Sequence, residues 1–146
     1  FDFTVIQTWK GCVIAAAVIA FPLMYRNARA AFEQVDVNYI YAGRTLGLSE
    51  WTIFRKVVIP VAGPGIASGT ILTFARALGE YGATSMLAGN ILGKTRTMAV
   101  AIAAEVSAQN YDVAGFWVIV LVTIAFVFIF AINIITMHGI SKIQRW

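Results

Sequence analysis

Arg76 and Glu80 stand four residues apart in the string FARALGEYGAT, which runs from Phe74 to Thr84. On a helix that spacing puts opposite charges on one face, where they attract. The surrounding residues are apolar, and a charge at membrane depth is costly unless it meets a partner or a water-filled path. Two readings follow: a self-satisfied pair that stabilises the chain, or a cation set along a route for anions. Gly79 and Gly82 leave the backbone open to close approach, and Thr84 and Ser85 add neutral donors. Such a set can pass an anion without gripping it. It handles ions rather than making or breaking bonds.

Other chemistry finds little support. Ala88 to Thr95 (AGNILGKT) fits a relaxed phosphate-binding loop with Ala in place of the first Gly. That loop needs a preceding buried strand, a following helix and an acidic strand end for magnesium, and the sequence supplies none of them. A surface turn is the better reading, with Lys94 and Arg96 meeting a partner or drawing anions to an entrance. Cys12 is the only cysteine and sits in an apolar run, as a buried, inert thiol would. His138 has no second His or Cys nearby and reads as interfacial. No catalytic set, cofactor site or metal site emerges, and the chain reads as a non-enzyme.

The elements that position these residues follow from composition. Of 146 residues, 60% are hydrophobic and 12% charged, with a mean hydropathy of +0.78. A soluble domain of this length carries far more polar surface, so the membrane is the natural solvent. The net charge of +4 does not mark a nucleic-acid binder, because the basic residues are scattered and the aromatics fall inside apolar runs. The fold class expected is an all-α, polytopic membrane protein. Its spans are expected at about 9–25, 61–82 and 113–137, each near or above the roughly 17 residues a helix needs to cross. Trp9 and Tyr25 suit the interfacial belt. Pro60 and Pro64 suit a helix start, and Gly65 to Gly69 forms a small-xxx-small stripe for close helix contact in lipid. Asn133 suits a hydrogen bond to a neighbouring helix. Residues 97–108, with Glu105, are too short to span and read as a helix at the outer face or re-entrant.

Basic residues set the expected orientation. Arg26, Arg29, Arg44, Arg55 and Lys56 lie between the first two spans, and Lys142 and Arg145 follow the third, against Lys10, Lys94 and Arg96 on the other side. By the positive-inside rule the 26–60 loop and the C-terminus face the cytoplasm of a multi-pass protein of the cell membrane. Within that loop Asp36 can cap one helix, Gly47 can end it in the left-handed conformation, and Ser49 can cap a second with Glu50 in its first turn. The result is a helix-turn-helix outside the bilayer. With Tyr39, Tyr41, Leu46 and Leu48 exposed, it suits the groove of another protein, or else rests on lipid headgroups.

At these residues the sequence resembles a known family. Tyr41-Ala42-Gly43, then Gly47, then Val57-Val58-Ile59-Pro60 has the spacing of the EAA loop of binding-protein-dependent ATP-binding cassette permeases. Tyr41 stands where that loop has Glu, and Gly43 where it has the second Ala. FARALGEYGAT resembles the matching stretch of molybdate, tungstate and sulfate permeases, and AGNILGKTRT is most similar to the molybdate branch. The resemblance covers essentially the whole chain and corresponds to the C-terminal portion of such a permease, so the 146 residues read as one permease domain truncated at its N-terminus.

The resemblance implies a membrane subunit of an ATP-driven molybdate importer working by alternating access, with tungstate or sulfate as alternatives from the same group. It implies coupling to ATP-binding cassette subunits through Tyr41, Ala42, Gly43, Arg44, Leu46 and Gly47. It also implies an extracytoplasmic substrate-binding protein, a permease homodimer and surrounding lipid, with ATP and magnesium used by the partner subunit and no cofactor on this chain. Candidate path residues are Arg76, Gly79, Glu80, Gly82 and Thr84. A membrane scaffold whose loop binds a soluble partner is the reading from another class.

Overall fold

A computed structural model describes residues 5–143, with side chains as far as Thr136. Among the described residues every regular element is helical: α1 (Trp9–Glu33), α2 (Val37–Thr45), α3 (Glu50–Ile53), a π-helical turn (Phe54–Val58), α4 (Ile59–Leu78), α5 (Gly82–Ala88), α6 (Met98–Ser107) and α7 (Tyr111–Ile143). Among the same residues three stretches are long and apolar enough to cross a membrane, Trp9–Glu33, Glu50–Leu78 and Tyr111–Thr136. α4 is the centre of the bundle, with α1 and α7 packed on it; α5 lies on α1 and α6 on α7.

The core is built from small residues. Most buried apolar side chains are alanines, Ala15, Ala31, Ala62, Ala88, Ala101 and Ala114. In lipid, helix association gains little from burying large apolar groups and much from close backbone approach. The α1–α4 contact shows this directly: a Cβ added at Gly65 would lie 2.7 Å from the Ala31 Cβ, and one at Gly69 would lie 2.5 Å from the Asn27 Cβ. Next to this stripe the Met24 sulfur accepts from the hydroxyls of Thr70 (3.9 Å) and Thr73 (3.8 Å). Stacked Phe74 and Phe128 rings, centroids 3.6 Å apart, join α4 to α7. On α7 the outward side chains Phe116, Ile119, Phe126, Phe130 and Ile135 are all at least 60% exposed, as on a helix whose solvent is lipid or a neighbouring helix.

This interface makes a clean prediction. Gly69→Val should force α1 from α4 and lower stability by about 1–3 kcal/mol, read as an earlier midpoint of thermal aggregation in detergent. Gly63→Ala, on the same helix with nothing within 4 Å of its added Cβ, should leave the midpoint unchanged or slightly raised.

Three boundaries differ from the sequence expectation. α1 does not stop at 25 but continues two turns to Glu33, supported by a 2.6 Å Arg29–Glu33 pair one turn apart. The second span ends at Leu78 rather than 82, capped at Gly79, and α5 begins afresh at Gly82. Pro60 and Pro64 do not start the helix, which runs back through the π-helical turn to Glu50. A proline inside a helix lacks the N–H and crowds the carbonyl four residues earlier, here that of Lys56. The wider turn spans that position, with the Ile59 N–H bonded to the Phe54 carbonyl five residues back. The second helix of the expected helix-turn-helix is therefore the end of the second span itself.

The Cys12 thiol points to the Thr95 carbonyl at 3.5 Å and to that of Thr8 at 3.9 Å. Asn133 is exposed on α7 rather than bonded to another described helix. The side chains of His138 and Lys142, and all of Arg145, lie outside the described residues.

Candidate functional site

Two places concentrate the residues singled out above. The first is the hairpin of α2 and α3. Asp36 caps α2 by accepting from the Asn38 N–H at 2.9 Å, and Ser49 caps α3 by accepting from the Thr52 N–H at 3.3 Å. Between them the chain turns at Gly47, φ +72°. The Leu48 N–H bonds to the Gly43 carbonyl (3.1 Å) and the Gly47 N–H to that of Arg44 (2.9 Å). That pair of bonds is the Schellman closure, which uses up carbonyls the helix end would otherwise leave unpaired.

Packing fixes the angle between the two arms. Gly43 is buried, and an added Cβ would sit 2.8 Å from the Ile53 Cγ1; Ile53 is itself 1% exposed. Gly43 is thus the seat for Ile53 and not part of an outward docking face. Arg44 is exposed and reaches across the hairpin's surface, holding Glu50 through Nε (2.6 Å) and Nη2 (3.2 Å) and lying 5.9 Å from the Tyr41 ring centroid. The hydrogen bond and charge of Glu50 raise the Arg44 pKa above its ordinary value, at which a guanidinium is already charged. Tyr39, Tyr41, Leu46 and Leu48 remain exposed, Leu46 at 78%.

The sequence reading missed an aromatic extension of this surface. Trp51 and Phe54 lie with ring centroids 5.9 Å apart, and Phe54 lies 6.2 Å from Phe32 of α1. Trp51 is 67% exposed. The three-residue spacing of Trp51 and Phe54 was the available signal, but it shows only once α3 is known to continue as a helix.

The second place is the junction of α4 and α5. Arg76 donates from Nη1 to Glu80 Oε2 at 2.9 Å. Glu80 Oε1 accepts from the Ala83 N–H, also at 2.9 Å, so one carboxylate ties the end of α4 to the start of α5. The candidate path residues do not form one open surface. Arg76 is half-exposed, whereas Glu80 is 6% and Thr84 2% exposed. The Gly79 N–H is already bonded to the Ala75 carbonyl at 3.3 Å and the Ser85 hydroxyl to the Gly82 carbonyl at 2.9 Å. Burial of Thr84 follows from α5 packing on α1. Gly82 opens α5 beside the Glu80 carboxylate, with an added Cβ 3.7 Å from Oε1. Of the five, Arg76 alone presents a charged group to the open side.

The 89–97 loop is a built turn. Gly89 (φ +70°) and Gly93 (φ +74°) take left-handed backbone, the Ile91 carbonyl accepts from the N–H groups of Lys94, Thr95 and Arg96, and the buried Thr95 hydroxyl accepts from the Ile91 N–H at 3.1 Å. It follows α5, not a strand. Lys94 is exposed. Arg96, expected as a surface cation, instead donates to Glu105 Oε1 at 2.7 Å, and Asn110 donates to Oε2 at 3.1 Å.

These bonds, Asn110 first and Arg96 next, hold the Glu105 carboxyl below the usual carboxylate range. Its folded pKa is lowered, so the stabilisation is complete above the unfolded value and fades as pH falls through the folded one. Amide protection of residues 89–97 should therefore persist from pH 7 to about pH 5 and fall only below the ordinary carboxylate range. Glu105→Gln should lose part of that protection already at pH 7, as hydrogen exchange would report.

Among the described residues, no group of three His, Cys, Asp or Glu side chains is placed to hold a metal ion. Comparison with known proteins gives a consistent set of likenesses. Residues 2–138 match the family described as binding-protein-dependent transport system inner membrane component. The chain is 44% identical over 133 residues to YvgM of Bacillus subtilis (strain 168), a protein provisionally named a molybdenum transport system permease, covering 91% of this chain and 59% of that one. It is 50% identical over 98 residues to the molybdenum transport system permease protein ModB of Escherichia coli (strain K12), covering 67% and 43%. It is 34% identical over 133 residues to the sulfate transport system permease protein CysT of the same organism, covering 91% and 48%. The chain spans about half the length of these curated relatives. No solved structure matches it.

Proposed function

The chain belongs to the family of binding-protein-dependent transport system inner membrane components, and from that premise we propose that it is the membrane-spanning part of an ATP-driven molybdate importer. The observation that carries the reading is mechanical. The capped α2–α3 hairpin passes without a break through the π-helical turn into α4, so a displacement of the hairpin moves a span. A partner that closes on ATP could in this way open one side of the bundle and shut the other. The exposed Tyr41, Leu46 and Trp51 give the hairpin an apolar tip, and its arms are fixed at Gly43 against Ile53.

In this reading the hairpin and the C-terminus face the cytoplasm, two ATP-binding cassette subunits dock on residues 36–60, and a substrate-binding protein delivers the oxyanion from the other side. Two copies of the permease enclose the path. ATP hydrolysis belongs to the partner, and this chain performs no covalent step. Molybdate is favoured because the two molybdenum-named relatives are 44% and 50% identical, against 34% for the sulfate permease. Tungstate, alike in shape and charge, is carried by the same path.

Co-purification tests the docking. The full-length permease should elute with its ATP-binding subunit, and cysteines placed at Leu46 and Leu48 should be shielded from a membrane-impermeant maleimide only when that subunit is present. Equal labelling with and without it, in a complex that still co-elutes, would move docking away from the hairpin.

A further inference from the structure

Arg76 and Glu80 form one ion pair, yet the two side chains live in different surroundings: the guanidinium is 51% exposed and the carboxylate 5%. The two oxygens of Glu80 have separate duties, one on Arg76 Nη1 and the other on the Ala83 N–H of the next helix, each at 2.9 Å. The Glu80 N–H is itself bonded to the Ala77 carbonyl at 3.2 Å. The carboxylate is therefore held by the start of α5 on a backbone that is itself fixed, while among the described residues the guanidinium is held by the carboxylate alone. Arg carries five N–H donors in a fixed fork, and those not spent on Glu80 are available on the open side.

A lone cation in an apolar wall would hold a dianion tightly. Tight holding of the passing ion deepens the resting complex without lowering the barrier out of it, and so slows turnover. A cation paired to a buried anion offers the same donors with little net charge. We propose that Glu80 is a positioning residue that aims the Arg76 guanidinium at the passing oxyanion and tempers its charge so that the ion is released. The inference rests on the reading of Arg76 as a residue of the transport path.

The test uses the full-length permease in complex with its ATP-binding subunits. Labelled molybdate retained by the detergent-solubilised complex is measured without the binding protein, and maximal uptake is measured in proteoliposomes with the loaded binding protein in excess. Glu80→Gln keeps an oxygen for the Ala83 N–H but removes the charge. It should raise retention on the order of fivefold and lower maximal uptake by a similar factor. The double variant R76Q/E80Q should lose both. Unchanged or lower retention in Glu80→Gln would overturn the tempering role, whatever the uptake. Wild-type uptake by the double variant would instead remove Arg76 from the path, and a wild-type complex carrying no oxyanion would end the transport reading and this inference together. Should Glu80→Gln fail to accumulate while the double variant accumulates, the pair is a structural brace and the tempering role falls. If neither accumulates, Glu80 serves only the start of α5 and the proposal falls.

Discussion

Gly47→Val is expected to leave ATP hydrolysis by the assembled importer nearly intact while uptake falls about tenfold or more. Gly47 sits at φ +72° with nothing within 4 Å of an added Cβ, so the effect arises entirely from the backbone. A non-glycine residue pays about 1–2 kcal/mol in the left-handed region, and a β-branched one pays at the upper end. Every 1.36 kcal/mol is a factor of ten, enough to unmake the closure in which Leu48 bonds to Gly43 and Gly47 to Arg44. Helices α2 and α3 then lose their fixed angle, and the hairpin can sit on its partner without passing motion to α4. The ratio of ATP consumed to molybdate imported measures this directly. Gly47→Asn, which tolerates the left-handed region better, should keep most of the coupling. Normal stoichiometry in the Val variant would show that the hairpin's shape does not matter to transport.

Arg76→Ala has the second large effect, and it separates two accounts of the same pair. Removing the guanidinium leaves the Glu80 side chain, itself 5% exposed, with the Ala83 N–H as its remaining partner among the described residues. Breaking a buried pair costs about 3–5 kcal/mol, but Arg76 is half-exposed and the carboxylate left behind keeps the Ala83 N–H, which together bring the loss to roughly 1–3 kcal/mol. The variant should therefore accumulate at near the normal level while uptake drops about tenfold or more, because an oxyanion in the path has lost its cation. Uptake normalised to the amount of permease in the membrane is the measurement. A protein that fails to accumulate, or one that accumulates and transports normally, would make the pair a structural brace.

The features legible in the sequence were those written in neighbouring residues. Asp36, Gly47 and Ser49 mark the hairpin because caps and left-handed stops act over three or four residues. The Arg76–Glu80 pair is legible because four residues make one helical turn, and the long apolar run of α7 needs only counting. The parts that were not legible depend on distant chain. Nothing near Thr84 tells that α5 folds onto α1 and buries it. Arg96 and Glu105 are nine residues apart across a loop and a helix start, outside any helical repeat. Gly43 reads as a substituted alanine of a docking motif until Ile53 is seen against it. The prolines misled because Pro60 is equally suited to starting a helix and to following a widened turn, and only the continuity from Glu50 decides between them.

On the proposed function this chain moves an oxyanion when a partner hydrolyses ATP. The most direct measurement is ATP-dependent uptake of labelled molybdate into proteoliposomes holding the full-length permease, its ATP-binding subunits and its binding protein, with tungstate and sulfate as competitors. The account predicts uptake that requires ATP, is blocked by tungstate and is little affected by sulfate. A complex that assembles and hydrolyses ATP yet imports no oxyanion would contradict the substrate, and a permease that recruits no ATP-binding subunit would contradict the transport role and leave a membrane scaffold in its place.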